Sequence, residues 1–227
     1  MAIHQKAYEE IIKELKENNV QLVAVSKTKP VEDIKALYDL GQRDFGENYV
    51  QELIDKQPPL PNDIRWHFIG HLQSNKVKYI APFVHLIHGV DSFKLLEEIN
   101  KQAVKNNRII NCLLQVHIAS EETKFGFSEE EIDKLLSTNI NELQELKNIR
   151  IWGLMGMASF SNDVEKVKEE YGKLKSIFDK YAQLQTVNCK LEMLSIGMSG
   201  DYKIAINEGG TMVRIGSLIF GERNYHE

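Results

Sequence analysis

Two hydrophobic periods alternate along the whole chain. Ile3, Ala7, Ile11 and Leu15 fall on one face of a helix predicted over Ile3–Asn18. Leu22-Val23-Ala24-Val25 follows, a continuous apolar run of the kind used by strands buried on both faces of a parallel sheet. The same reading predicts strands over Leu22–Ser26, Arg43–Gly46, Trp66–Gly70, Val84–Val90, Ile110–Ile118, Arg150–Met157, Leu191–Ile196 and Met212–Ile215. Between them it predicts helices, among them Val31–Leu40, Ser92–Val104, Ser128–Leu136 and Asp163–Tyr181. The longest carries Val164, Val167, Tyr171, Leu174, Phe178 and Tyr181 at three-and-four spacing. That stripe could be a coiled-coil seam, but within a β/α alternation it reads as a face packed on a sheet.

Strands and helices in this order over 227 residues predict an α/β fold, a single (β/α)₈ TIM barrel. The first helix would be an extra element closing one end. The alternative is an open doubly wound sheet, which would use fewer strands and bind ligands at a switch point. Gln57-Pro58-Pro59-Leu60-Pro61 reads as a loop before the third strand, and no linker or repeat divides the chain. One domain over residues 1–227 is expected.

Composition narrows the function classes. The chain is 42% apolar, and its 28 basic and 33 acidic residues are interspersed, for a net charge of −5. That balance argues against a nucleic-acid or anionic-membrane binder. Cys112 and Cys189 stand alone without metal-ligand spacing and suit a reducing cytoplasm. The charged N-terminus is no signal peptide, and no apolar run reaches membrane-spanning length.

In a barrel, function gathers at the C-terminal ends of the strands. The first strand delivers Lys27 there, where partial desolvation favours the neutral, nucleophilic amine that Schiff-base chemistry requires. A solvated strand-end lysine is the bland alternative. Ser199 and Gly200 stand where the helix after the seventh strand should begin, and Gly216 and Ser217 follow the eighth. Small hydroxyls and the N–H groups of a helix N-terminus make a phosphate cradle at this location in barrels. The competing reading is a helix cap at Ser199 or Asp201 and a tight turn at Gly216. Asp201 is assigned to capping, since a carboxylate is a poor neighbour for a phosphate. A lysine facing such a cradle fits pyridoxal 5′-phosphate.

His67 and His71 are four apart but straddle a strand and its loop, with no Cys, Asp or Glu at ligand spacing, so no metal site is expected. Strand alternation sends His67 to the core or helix layer as a structural residue. His71, Gln73, Asn75 and Lys76 are placed at the barrel mouth, where they could touch the cofactor or a partner. Lys124 is expected on the surface.

Five segments also carry a resemblance. Val25-Ser26-Lys27-Thr28, Phe45-Gly46-Glu47-Asn48-Tyr49, His67-Phe68-Ile69-Gly70-His71-Leu72-Gln73-Ser74-Asn75-Lys76, Leu194-Ser195-Ile196-Gly197-Met198-Ser199-Gly200-Asp201 and Arg214-Ile215-Gly216-Ser217 closely resemble the pyridoxal phosphate homeostasis family. Ile196 and Ser217 stand where many members have Met and Thr, changes that keep the packing and hydroxyl roles. The resemblance implies a barrel like the alanine racemase N-terminal domain, without the racemase's C-terminal β-domain. It implies Lys27 as the Schiff-base lysine, Arg214 near the pyridine nitrogen or the phosphate, and Asn48 near the ring hydroxyl or the phosphate-free edge. Met157, with Met155, would line the ring face, although barrel methionines are more often core. The cofactor-binding set is therefore Lys27, Asn48, Met157, Ser199, Arg214, Gly216 and Ser217, with no catalytic residue assigned.

The racemase needs two acid/base groups on opposite faces of the substrate, one of them from the all-β domain of a neighbouring chain. With the chain ending at Glu227, that domain is expected to be absent. An arginine at the pyridine nitrogen would also weaken the ring as an electron sink. The implied function is a monomeric cytoplasmic protein that binds, buffers and supplies pyridoxal 5′-phosphate, with apo-enzymes that use it as possible recipients. The alternatives are a low-activity amino-acid racemase and, more distantly, an aldolase-like enzyme using Lys27 on a sugar phosphate.

Overall fold

The computed structural model describes residues 3–120 and 125–222. Helix α1 (Gln5–Glu17) precedes strand β1 (Gln21–Val25), followed by α2 (Val31–Asp39), β2 (Asp44–Glu47), α3 (Val50–Lys56) and β3 (Arg65–Phe68). A 3₁₀ turn (Ser74–Lys76) leads into α4 (Val77–Ile80), then β4 (Leu86–Val90), α5 (Phe93–Lys105) and β5 (Ile110–Gln115). Next come α6 (Glu129–Asp133), α7 (Ile140–Gln144), β6 (Ile149–Met155), α8 (Val164–Lys180) and β7 (Cys189–Ser195). The described chain closes with α9 (Tyr202–Asn207), β8 (Met212–Ile215) and α10 (Ser217–Phe220).

The strands form a closed barrel in sequence order, β1 to β8, and every pairing is parallel. Closure is between β1 and β8, with Val23 opposite Arg214 and Ala24 opposite Ile215. Residues alternate between two environments because successive side chains in a strand point to opposite faces. Leu22, Ala24, Phe45, Trp66, Phe68, Val213 and Ile215 pack outward into the layer shared with the helices. Val23, Leu86, Leu113, Met155 and Met212 form a smaller cluster inside the barrel. Met155 thus belongs to the interior packing, which corrects its placement on a ligand face.

The strands stop earlier than the apolar runs suggest. β1 ends at Val25, so Lys27 lies in the turn beyond the strand, and β5 ends at Gln115 rather than Ile118. The helix predicted over Ser128–Leu136 is broken into α6, opened by a Ser128/Glu131 capping box, and a π-helical turn over Lys134–Thr138. The predicted α8 stripe packs on the barrel through buried Val167, Tyr171 and Leu174, joined by Ile177, while Val164 at its start is exposed. Both cysteines are free and buried; burial pushes both thiols up, that of Cys189 to about 12. No described helix is long and apolar enough to cross a membrane, and the described residues form no metal-ligand cluster.

Candidate functional site

At the C-terminal end of the barrel the strand ends surround a cavity of about 480 Å³, a size in the usual range for small-molecule sites. Lys27, Asn48, Met157, Ser199, Arg214, Gly216 and Ser217, the whole set predicted from sequence, line it together. Val25, Ile69, Gln115, Phe125 and Phe160 add apolar wall and one amide. Three cationic side chains, Lys27, Lys29 and Arg214, reach this cavity, and no carboxylate does among the described residues. In a chain of net charge −5, such a local excess marks a place for an anion.

Arg214, on β8, is buried. One guanidinium nitrogen donates to the Ser195 carbonyl (2.8 Å) and to Ser195 Oγ (2.7 Å), and the other donates to the Gly156 carbonyl (3.0 Å). Guanidinium has five N–H donors, so two remain on a side chain that lines the cavity. Burial pulls Arg214 below the ordinary arginine range, while the nearby Tyr171 and Asp201 act in the opposite sense.

Behind Arg214 a hydrogen-bonded row runs through the barrel. Ser195 Oγ lies 3.1 Å from His88 Nδ1, His88 Nε2 lies 2.9 Å from His67 Nδ1, and His67 Nε2 lies 3.0 Å from Asp44 Oδ1. Asp44 in turn receives both Nε and Nη2 of Arg65, at 2.7 and 2.5 Å. The two ends dictate every tautomer, because guanidinium can only donate and an ionised carboxylate can only accept. Ser195 accepts from Arg214 and donates to His88 Nδ1. His88 therefore carries its proton on Nε2 and donates to His67, which carries its own on Nε2 and donates to Asp44. Burial opposes ionisation of Asp44, yet the bonds from Arg65 and His67 outweigh it and hold the carboxyl well below its usual value. Burial, with the charge of Arg214, drives His88 far below the ordinary histidine value. His67 faces the barrel interior here, not the helix layer, and stacks at a tilt between His85 and His88.

Replacing His88 by Leu leaves His67 Nδ1 without a donor and the Ser195 hydroxyl proton without an acceptor, both buried. Each orphaned group costs about 1–3 kcal/mol, and in a protein of this size each kcal/mol shifts Tm by about 2–4 °C. Thermal unfolding of the His88→Leu protein should show that loss. An unchanged Tm would mean the row carries no structural load.

The loops that close the cavity are tied to each other. Ser199 Oγ accepts the Gly216 backbone N–H (3.2 Å), joining the loop after β7 to the start of α10. Helix α9 begins only at Tyr202, so Ser199 and Gly200 lie in the turn before it. Asp201 occupies the position before α9 but caps none of its N–H groups; it accepts the Met198 N–H and the Tyr171 hydroxyl (2.8 Å) instead. Gly197 makes this turn with φ +87°, and a Cβ there would strike Ala205 Cβ at 2.5 Å.

His71 is exposed at the mouth, stacked on Phe125 (centroids 3.9 Å apart) and paired with Asp91 (3.0 Å). Gln73 and Lys76 line a neighbouring cavity with Tyr49 and Tyr79, sharing only Asn48 and His71 with the first. Asn75 lines neither, and Lys124 lies outside the described residues. Sequence reasoning missed Lys29, Gln115 and Phe125 in the wall, and Ser195, His88 and Asp44 behind it. Lys29 had a signal, since it stands two residues from Lys27; the others depend on strand register.

Residues 3–224 match the family described as alanine racemase, N-terminal domain. A pyridoxal phosphate homeostasis protein of Aquifex aeolicus is 42% identical over 210 residues, which cover 92% of this chain and 90% of that one. Among solved structures, PipY of Synechococcus elongatus is 34% identical. Without PLP it superposes with TM-score 0.85 over 93% of this chain and 99% of its own; with PLP bound the values are 0.79, 89% and 93%. An alanine racemase of Clostridium difficile shares the fold at 16% identity, with TM-score 0.74 over 98% of this chain and 57% of its own. A barrel whose family match runs nearly end to end, and whose relatives are so similar over so much of their own length, belongs to the pyridoxal phosphate homeostasis proteins of the alanine racemase N-terminal-domain family.

Proposed function

We propose that this protein binds pyridoxal 5′-phosphate in the barrel-mouth cavity, holds it through Lys27, and buffers and supplies it without substantial catalysis. The observation that carries the reading is the juxtaposition of a half-buried lysine, a buried arginine and two hydroxyls around one cavity with no described carboxylate in its wall. When bound, the cofactor supplies an aldehyde that condenses with a primary amine, with loss of one water. Lys27 provides that amine. Ser199, Ser217 and the Gly216 backbone hold the phosphate at the rim, and Lys29 adds positive charge. Arg214 donates an N–H to the ring nitrogen, because its fixed bonds to Ser195 and Gly156 keep it on the barrel side of the cavity, below the loops. Asn48 borders the ring edge, and Met157 its face.

Arginine bears on catalysis as well as on binding. A guanidinium keeps its proton at any working pH, so it leaves the ring nitrogen as an unprotonated acceptor. A ring in that state draws electrons weakly from an attached amino acid, which disfavours loss of the α-proton. The PLP-bound PipY structure and the names of the relatives support the binding role. The chain as a single domain over residues 1–227, a monomeric state, a cytoplasmic location and apo-enzymes as recipients complete the proposal.

The racemase reading is the one to test against. The protein loaded with pyridoxal 5′-phosphate is incubated with L-alanine in D₂O and followed by NMR and chiral chromatography. Retained α-protons, together with transfer of cofactor to an apo-enzyme, are expected. Rapid α-deuteration or racemisation that disappears in Lys27→Ala would overturn the carrier reading in favour of the enzyme.

A further inference from the structure

We propose that Glu52 and Lys56, on helix α3 behind the cavity wall, are positioning residues for Lys27, gripping the peptide groups on either side of it. The inference rests on Lys27 as the attachment point for the cofactor. Neither residue lines the cavity. Lys56 is a buried lysine whose ammonium donates to the Ser26 carbonyl (2.9 Å), to Glu47 Oε1 (2.9 Å) and to Glu52 Oε2 (2.7 Å). The same Glu52 oxygen accepts the Thr28 backbone N–H (2.7 Å). The group before Lys27 and the group after it are therefore clamped by one ion pair, and Ser26 Oγ adds a bond to Glu47 Oε1 (2.6 Å).

Two features indicate that this clamp does more than fill space. Thr28 has φ +64°, a left-handed conformation that a β-branched residue avoids unless its surroundings impose it. Glu52 holds the N–H of that very residue. Burying an ammonium is also costly unless each donor is satisfied. Lys56 has three donors and three oxygens, one of them the backbone carbonyl next to Lys27. Glu47, buried at the centre of the cluster, has its second oxygen without a partner, and burial raises its carboxyl to about 7. Glu52 is held below the usual carboxylate range, because its bonds to Lys56 and Thr28 outweigh its burial, so Glu52 carries a negative charge against Lys56 at neutral pH.

The test separates positioning from binding. Covalent loading of Lys27 is followed by absorbance after mixing with pyridoxal 5′-phosphate, and equilibrium binding is measured with pyridoxine 5′-phosphate, which has no aldehyde. Glu52→Ala should slow loading by about tenfold or more, since misplacing a reacting group by a fraction of an ångström costs rates of this order. Its affinity for pyridoxine 5′-phosphate should stay within about twofold, as that probe does not use the Lys27 amine. Glu52→Gln keeps an acceptor for Thr28 and should restore most of the rate, and amide exchange at Thr28 should rise in Glu52→Ala but not in Glu52→Gln. If Glu52→Ala does not fold, Lys56→Met releases the Ser26 carbonyl and should give the same split. Loading at the wild-type rate in these variants, or an equal fall in affinity for pyridoxine 5′-phosphate, would overturn the positioning role. Failure of the wild-type protein to load at Lys27 would instead overturn the attachment reading, and this proposal with it.

Discussion

Lys27→Ala should fold normally and lose all covalent attachment of pyridoxal 5′-phosphate. Lys27 is half-buried in the turn after β1 and lines the cavity together with Ser199 and Ser217. Removing a side chain of this kind changes stability by about 0.5 kcal/mol or less, so thermal unfolding should be close to that of the parent. The spectroscopic effect is all or none. Borohydride reduction of the loaded parent, followed by peptide mapping, should place the pyridoxyl group on Lys27, and the variant should carry none. Lys29 is the informative competitor, because it lines the same cavity two residues further on. Its ammonium already donates to the Glu222 carbonyl at 3.0 Å. A label on Lys29 or Lys76 in place of Lys27 would refute the assignment.

The barrel was legible because its signal is redundant. Apolar runs such as Leu22–Val25 and Cys112–Leu114 recur at spacings that leave room for one helix each, and eight of them are more than an open doubly wound sheet normally uses. The site was legible for a related reason: barrels gather their chemistry at strand ends, and Lys27, Asn48, Ser199 and Gly216 stand just past predicted strands. What stayed hidden depends on pairing register. Nothing in the sequence places Asp44, His67, His88 and Ser195 in one row, because each comes from a different strand and must share its depth in the barrel with the next. Alternation narrows His67 to the core only once Trp66 and Phe68 on either side of it are seen to pack outward, which turns His67 into the barrel. The break between α6 and the π-helical turn has no marker, since Lys134-Leu135-Leu136 is as good a helix sequence as what precedes it. The clamp on Lys27 was hidden too, because Glu52 and Lys56 at i,i+4 look like an ordinary solvated pair on a helix. Only the burial of Lys56 against β1 shows otherwise.

Removing the phosphate from the ligand should weaken binding far more than any single change in the cradle. Pyridoxine and pyridoxine 5′-phosphate form the cleanest pair, since neither has an aldehyde and the comparison excludes the Lys27 bond. A phosphate at the rim would meet the hydroxyls of Ser199 and Ser217, the backbone around Gly216 and the positive charge of Lys29. Charge-assisted hydrogen bonds contribute about 1.5–3 kcal/mol each, so losing two or more should cost about a hundredfold in Kd or beyond. Ser199→Ala should cost less, about tenfold, because it removes one of several contacts. Part of that loss would be indirect, since the Ser199 hydroxyl also holds the Gly216 N–H and with it the start of α10. Fluorescence titration of the two ligands on the parent and on Ser199→Ala measures both effects. Equal affinities for pyridoxine and its phosphate would dismiss the cradle and leave the cations of this cavity to serve some other anion.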